Sequence, residues 1–242
     1  MRVVITGASS GIGEALARFY GSRGATLGLI SRRPAATGFS GKSYAVDVTD
    51  VRAMAAAAED FGLPDLVIAN AGVSAGTSGE DLRDVEHLRR LLEVNVTGVA
   101  VTLAAFAPAM RKAGRGTLAC IASVAGFRGL AGNGAYSASK AAAITWMESL
   151  RTEMRGSGVS VVCICPGYID TPMTRVNRFR MPFLLPADEA ARRIARAIDR
   201  KPRVAVVPWQ MAMVAVALRV MPGWLYDRLA AHAPRKPRSS PS

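Results

Sequence analysis

An apolar run from Arg2 to Thr6 leads into Thr6-Gly7-Ala8-Ser9-Ser10-Gly11-Ile12-Gly13, and that loop leads into an amphipathic stretch from Glu14 to Tyr20. This junction constrains the fold more than any other feature of the chain. The apolar run reads as a buried strand, and Ala15, Leu16 and Phe19 fall on one helical stripe. Each glycine has its own use between them. Gly7 permits a tight turn, Gly11 lets backbone approach a pyrophosphate, and Gly13 lets the helix pack close to the strand. The helix start offers free N–H groups and partial positive charge to phosphates. Ser9, Ser10 and Ile12 fill the loop and count with it as candidate cofactor contacts. The spacing is G-x-x-x-G-x-G, which differs from the common G-x-G-x-x-G fingerprint.

The rest of the chain repeats that alternation. Apolar runs predict strands over 2–6, 26–31, 43–46, 65–69, 116–121, 159–165 and 203–207. Helical patterns fall between them, over 12–23, 51–60, 82–112, 136–155 and 187–200. This rhythm argues an α/β fold: a doubly wound parallel sheet of about seven strands with helices on both faces. The expected strand order is 3-2-1-4-5-6 with the seventh at the edge, and ligands bind at the carboxyl ends of the strands. The length of 242 residues suits one domain. We expect it to run over 1–233, with an apolar extension at 208–233 and a disordered basic tail at 234–242.

Tyr136 and Lys140 stand four apart in Tyr136-Ser137-Ala138-Ser139-Lys140, and Ser123 lies thirteen residues upstream. Residues four apart share a helix face. A tyrosine ordinarily ionises near pH 10, and a neighbouring lysine cation favours the phenolate. The phenol then becomes a usable general acid or base. Ser123 can donate a hydrogen bond to the same substrate oxygen.

The glycine loop, the Tyr-x-x-x-Lys pair and Ser123 together make the chain resemble the short-chain dehydrogenases/reductases, in their single-domain branch, over roughly residues 2–207. The resemblance implies a Rossmann-like fold and an oxidoreductase that moves a hydride between a nicotinamide and a carbonyl or alcohol. By the same resemblance Asn95 holds a water beside Lys140, and Tyr136 and Lys140 also touch the cofactor. Asp47 bonds the adenine amine and Val48 covers the ring. Asn70-Ala71-Gly72 is similar to the family's Asn-Asn-Ala-Gly turn, with Ala69 in place of the first Asn. Pro166, Gly167 and Ile169 line the nicotinamide end, where Thr171 contacts the carboxamide. The family also implies a homodimer or homotetramer. A catalytically silent NADPH-sensing protein is the alternative function.

The second strand ends in Ser31-Arg32-Arg33, where an NAD site usually places an acidic residue. An arginine pairs with a 2′-phosphate through charge-assisted hydrogen bonds. The expected cofactor is therefore NADP(H), with Arg32 as main contact, Ser31 or Arg33 assisting, and NAD(H) as the alternative.

Cys120, Cys163 and Cys165 sit within predicted strands and read as core thiols of a reducing, cytoplasmic compartment. Cys163 and Cys165 share a strand face, but no histidine completes a metal set, and His87 and His232 are isolated. No metal is expected. No run of eighteen uncharged apolar residues predicts a membrane span. The charge is uneven: from position 175 onward there are fourteen Lys/Arg and four Asp/Glu, a net of +10. That region lacks a recognised nucleic-acid module, so no specific nucleic-acid partner is expected. Residues 172–186 have no clear periodicity and suggest a lid over an apolar substrate. The stretch 208–220 is apolar nearly all round. It reads as a helix buried between subunits, as a flap over the substrate mouth, or as a peripheral membrane contact with Trp209 and Trp224 at the interface.

Overall fold

The computed structural model describes residues 1–35, 38–231 and 236. His232 and residues 234, 235 and 237–242 of the expected tail lie outside the described residues.

The strands are β1 (Arg2–Thr6), β2 (Thr26–Ser31), β3 (Gly41–Ala45), β4 (Leu66–Ala69), β5 (Gly116–Ile121), β6 (Val159–Pro166), β7 (Ile169–Asp170), β8 (Leu185–Pro186) and β9 (Val204–Val207). Seven form one parallel sheet in the order β3-β2-β1-β4-β5-β6-β9, as the alternation predicted. The short β7 and β8 pair separately. The helices are α1 (Gly11–Gly21), α2 (Val51–Phe61), α3 (Asp84–Leu92), α4 (Gly98–Ala113), α5 (Gly134–Glu153), α6 (Pro172–Arg175), α7 (Ala187–Asp199), α8 (Trp209–Val220) and α9 (Gly223–Ala230).

Strand side chains alternate between faces, and two core layers follow from that period. Val3 and Ile5 of β1 join Leu16 of α1 and Ile194 of α7 in one layer. Val4, between them, joins Met54 of α2, Phe106 of α4 and Met147 of α5 in the other. Each such buried side chain contributes about 1.5–3 kcal/mol. Cys120, Cys163 and Cys165 all fall in the second layer, so the two β6 thiols do share a face.

Three local differences have physical causes. β3 starts two residues before the expected position, at Gly41. Its φ is +141°, and a Cβ there would lie 1.9 Å from the Leu27 carbonyl oxygen, so only glycine can begin this strand against β2. The expected single helix over 82–112 is α3 and α4 joined by a π-turn, Glu93–Thr97. The stretch Asp84–Ala113 is also long and apolar enough, by length and composition alone, to cross a membrane. Half of its most apolar window is buried, with Leu103, Phe106 and Met110 in the second layer, so the core accounts for its character. The expected lid contains α6 and β8, and Tyr168 and Phe179 stack edge-on across it at 6.2 Å.

The C-terminal helices are tied to the loop after β5. Arg128 Nη1 donates to the Leu218 and Met221 carbonyls, both at 3.0 Å, which satisfies orphan acceptors at the end of α8. Its guanidinium lies 4.3 Å from the Tyr226 ring centre, and the Tyr226 hydroxyl donates to the Gly129 carbonyl.

Candidate active site

The ends of β1 and β4 are stitched together by Thr6, which is fully buried. Its Oγ1 accepts from the amides of Asn70 at 3.0 Å and Ala71 at 3.1 Å, and Asn70 Nδ2 donates to the Thr6 carbonyl at 2.9 Å. The turn is held so tightly that a Cβ at Gly7 would lie 2.8 Å from Ala71 Cα, and one at Gly13 only 2.2 Å from the Gly7 carbonyl oxygen. Gly7 and Gly11 have φ of +67° and +58°, the left-handed region that glycine enters freely. Ser10 caps α1 without a side-chain bond to its first turn, which leaves the helix start available to a ligand.

Above this turn lies a cleft of about 560 Å³ at the carboxyl ends of the strands. Its walls include Gly7, Ser9, Ser10, Gly11 and Ile12 from the loop, and Asn70, Ala71 and Gly72 after β4. Pro166, Gly167, Ile169 and Thr171 complete the wall, and a Cβ on Gly11 would lie 3.3 Å from Thr171 Cγ2. Of the expected site residues, only Gly13 and Asn95 stand behind the wall. Gly13 acts through close packing, as its spacing suggested. The glycine cradle, the helix start and the elongated cleft fit a dinucleotide.

At the far end from α5 stand Ser31, Arg32, Arg33, Asp47 and Val48. Arg32 and Arg33 are exposed along the rim. Ser31 is buried, and its hydroxyl donates to the Arg33 carbonyl, so it shapes the turn rather than offering its proton to the cleft. Val48 packs under Gly98, where a Cβ would lie 2.6 Å from Val48 Cγ2. Partial burial works against charge on Asp47. Thr49 outweighs it, donating from N–H at 3.0 Å and Oγ1 at 2.8 Å, as do the guanidiniums of Arg90 and Arg32. The Asp47 carboxyl is therefore held below the usual range.

At the other end, Ser123, Tyr136 and Lys140 line the same cleft. Ser123 follows β5 and caps a short 3₁₀ turn, its Oγ accepting from the Ala125 amide at 3.1 Å. That bond uses an acceptor site and leaves the hydroxyl proton. Tyr136 is in the first turn of α5, and Lys140 lies one turn on. The lysine is 4% exposed, its Nζ donates to the Ile121 carbonyl at 3.0 Å, and it lies 5.8 Å from the Tyr136 ring centre.

Asn95 is fully buried in the π-turn. Its amide clamps the backbone of Val73, accepting from N–H and donating to C=O, both at 2.9 Å. Its second Nδ2 proton goes to Ser139 Oγ at 2.9 Å, and Ser139 Oγ donates to the Tyr136 carbonyl at 2.8 Å. Both donors of the side chain are thus committed. Asn95 and Lys140 flank Gly72, where a Cβ would lie 3.0 Å from Asn95 Oδ1 and 3.4 Å from Lys140 Nζ.

Sequence reasoning missed three residues here. Ser139 is the link between Asn95 and α5, and nothing but its place inside the Tyr-x-x-x-Lys spacing could have signalled it. Arg90 approaches Asp47 at 3.5 Å from α3. Lys236 donates to Ser74 Oγ at 2.7 Å, and Ser74 lines the cleft. Burial pulls the Lys236 ammonium down to about 8. Burial pushes the Cys120 thiol up to about 12, which fits an inert core thiol. Among the described residues no cluster of metal-binding side chains occurs.

Residues 1–181 match the family model described as short chain dehydrogenase. The chain belongs to the short-chain dehydrogenases. A Myxococcus xanthus protein described as an uncharacterized oxidoreductase is 41% identical, across 94% of this chain and 95% of its own. The cis-4-hydroxycyclohexanecarboxylate dehydrogenase of Sinomonas cyclohexanicum is 34% identical, across 80% of each chain. A short chain dehydrogenase from Burkholderia cenocepacia, solved in complex with NADP, superposes with a TM-score of 0.84 at 28% identity, covering 94% of this chain and 96% of its own. As a short-chain dehydrogenase the protein is an oxidoreductase with a Rossmann-like, NAD(P)-binding fold.

Proposed function

We propose that this short-chain dehydrogenase is an NADP(H)-dependent enzyme that interconverts a carbonyl and an alcohol on an apolar substrate. One observation carries the reading. Ser123, Tyr136 and Lys140 share a cleft wall with the glycine cradle, while Arg32 stands on the rim at the opposite end. A dinucleotide laid along that cleft reaches both ends.

The cofactor supplies or takes up the hydride when bound. The proton belongs to the chain. Tyr136 gives its hydroxyl proton to the carbonyl oxygen in reduction and takes it back in oxidation. Lys140 provides the neighbouring positive charge and hydroxyl-binding capacity toward the nicotinamide ribose. Ser123 donates to the substrate oxygen as charge develops there. Asn95 and Ser139 fix α5 to the turn after β4, so they position Tyr136 and Lys140 and support proton passage from solvent. Thr171 and Ile169 hold the nicotinamide end, and Arg32 with Arg33 holds the 2′-phosphate. Asp47 and Val48 bracket the adenine.

Met173 and Val176 on the cleft wall support an apolar substrate. The Sinomonas relative is named for a hydroxycyclohexanecarboxylate, an apolar ring with an anionic end. Residues 1–233 act as one domain in this reading, because α8 packs on the end of β6. The buried thiols favour a reducing, cytoplasmic setting. Trp146, 45% exposed on α5, supports assembly as a homodimer or homotetramer.

The test is kinetic. Tyr136→Phe should lower kcat by about 10²–10⁴, the usual worth of general acid–base catalysis, and leave NADPH binding by fluorescence titration within about twofold. Arg32→Ala should weaken NADPH about tenfold, one charge-assisted contact, with little change for NADH. Full turnover in the first variant, or tight NADPH binding by the wild type with no turnover of any carbonyl or alcohol, would refute the catalytic reading.

A further inference from the structure

Helix α8 has two apolar faces, and the fold uses only one of them. Met211 and Ala215 turn inward and are 4% and 5% exposed. Met211 packs on Gly167 at the cleft, so closely that a Cβ on Gly167 would lie 2.6 Å from Met211 Cγ. On the opposite side stand Trp209, Met213, Val216 and Val220. They follow one another at i, i+4, i+7 and i+11, which is a single stripe. Their exposures are 64%, 58%, 61% and 73%. Trp224 and Leu229 of α9 are also exposed, at 71% and 57%. The outer face of a helix on a folded domain normally carries charge, yet the first charged residue of α8 is Arg219. An exposed apolar patch of this kind marks an interaction site.

Charge decides what covers it. Within the two helices Arg219 and Arg228 stand exposed beside one carboxylate, Asp227. A two-fold contact would set the patch against its own copy and bring like charges together. An anionic bilayer instead complements both the apolar stripe and the arginines. With 12 residues α8 is about 18 Å long, too short to span a bilayer and suited to lying in its interface. Tryptophans are favoured at that level, and two of them bracket the stripe. We propose that α8 and α9 form a docking face for an anionic lipid surface. Through Met211 and Gly167, docking holds the cleft about one helix diameter, roughly 10 Å, from the lipid. It stands apart from the proposed reaction, since its test reads binding alone.

The experiment uses the full chain and sedimentation with vesicles of phosphatidylcholine alone or with about one-third phosphatidylglycerol. The wild type should partition at least tenfold more strongly onto the anionic vesicles, and less as salt rises. The exposed-site variant W209S/V216S/V220S should lose at least tenfold of that partitioning while keeping its melting temperature. R219E/R228E should lose it only on anionic vesicles. Three results would overturn the proposal. The wild type could bind neither vesicle. The triple serine variant could bind as well as the wild type, which would make the attraction purely electrostatic. Or sedimentation velocity could show a dimer that the triple variant breaks while vesicles bind neither form, which would make the face a contact between copies.

Discussion

The space around Gly72 is set by two polar atoms rather than by packing. A methyl group there would stand 3.0 Å from Asn95 Oδ1, so that amide must give by a few tenths of an ångström, while Lys140 Nζ at 3.4 Å stays in ordinary contact. The amide is clamped to Val73 and to Ser139, so its shift passes into α5, which carries Tyr136 and Lys140. Gly72→Ala is therefore expected to lower kcat tenfold or more with a change in Tm of only a few degrees. Turnover and thermal unfolding measured on the same preparation check this. Ser139→Ala has the opposite emphasis. It strips the acceptor from a fully buried Asn95 donor, and leaving such a donor unsatisfied costs about 1–3 kcal/mol. Urea unfolding should show that loss, and Ser139→Thr, which restores the hydroxyl, should recover most of it. Tyr136, Lys140 and Ser123 were legible only together with the glycine loop, since a tyrosine and a lysine four apart on a helix are common on their own. Ser139 was not, since a serine in an alanine-rich helix carries no signal until its partner is known.

At the scale of elements, β5 and β6 bury all three cysteines among α4 and α5 side chains. Burial, and next the neighbouring Cys163, push the Cys120 thiol to about 12, so it stays protonated at neutral pH. A protonated, enclosed thiol is a poor nucleophile. Ellman's reagent should find no reactive thiol in the native protein at pH 8 and three after denaturation, matching the three cysteines present. Rapid reaction of a native thiol would mean that this layer opens. The helix over 82–112 shows where periodicity stops being informative. Its apolar pattern predicts one continuous helix, and the π-turn at Glu93–Thr97 breaks it to bring Asn95 onto Val73. Nothing local demands that extra residue per turn, because it is the tertiary bond that stabilises it. Such turns often mark functional sites.

For the whole molecule, Lys236 brings the far end of the chain to the cleft, bonded to Ser74. Its ammonium is lowered by burial from 10.5 to about 8. The released form thus holds more protons between those values. Docking of Lys236 is fully favoured above about pH 10.5 and weakens as pH falls through about 8. The ¹³Cε resonance of Lys236, assigned with Lys236→Arg, should titrate with a midpoint near 8. A midpoint at the ordinary lysine value would show that the contact is not kept in solution.

The amino-acid sequence by itself determined the alternation of strands and helices, the glycine cradle and the placing of Tyr136 and Lys140 on one helix face. Each depends on interactions short along the chain: alternation within a strand, three glycines in one turn, two side chains one helical turn apart. Tertiary structure alone decided that Asn95 reaches Ser139 across 44 residues, that Lys236 reaches Ser74 across 162, and that α8 turns one apolar face outward. Contacts between distant segments depend on how finished layers pack, and an apolar helix does not reveal which of its faces the fold will cover.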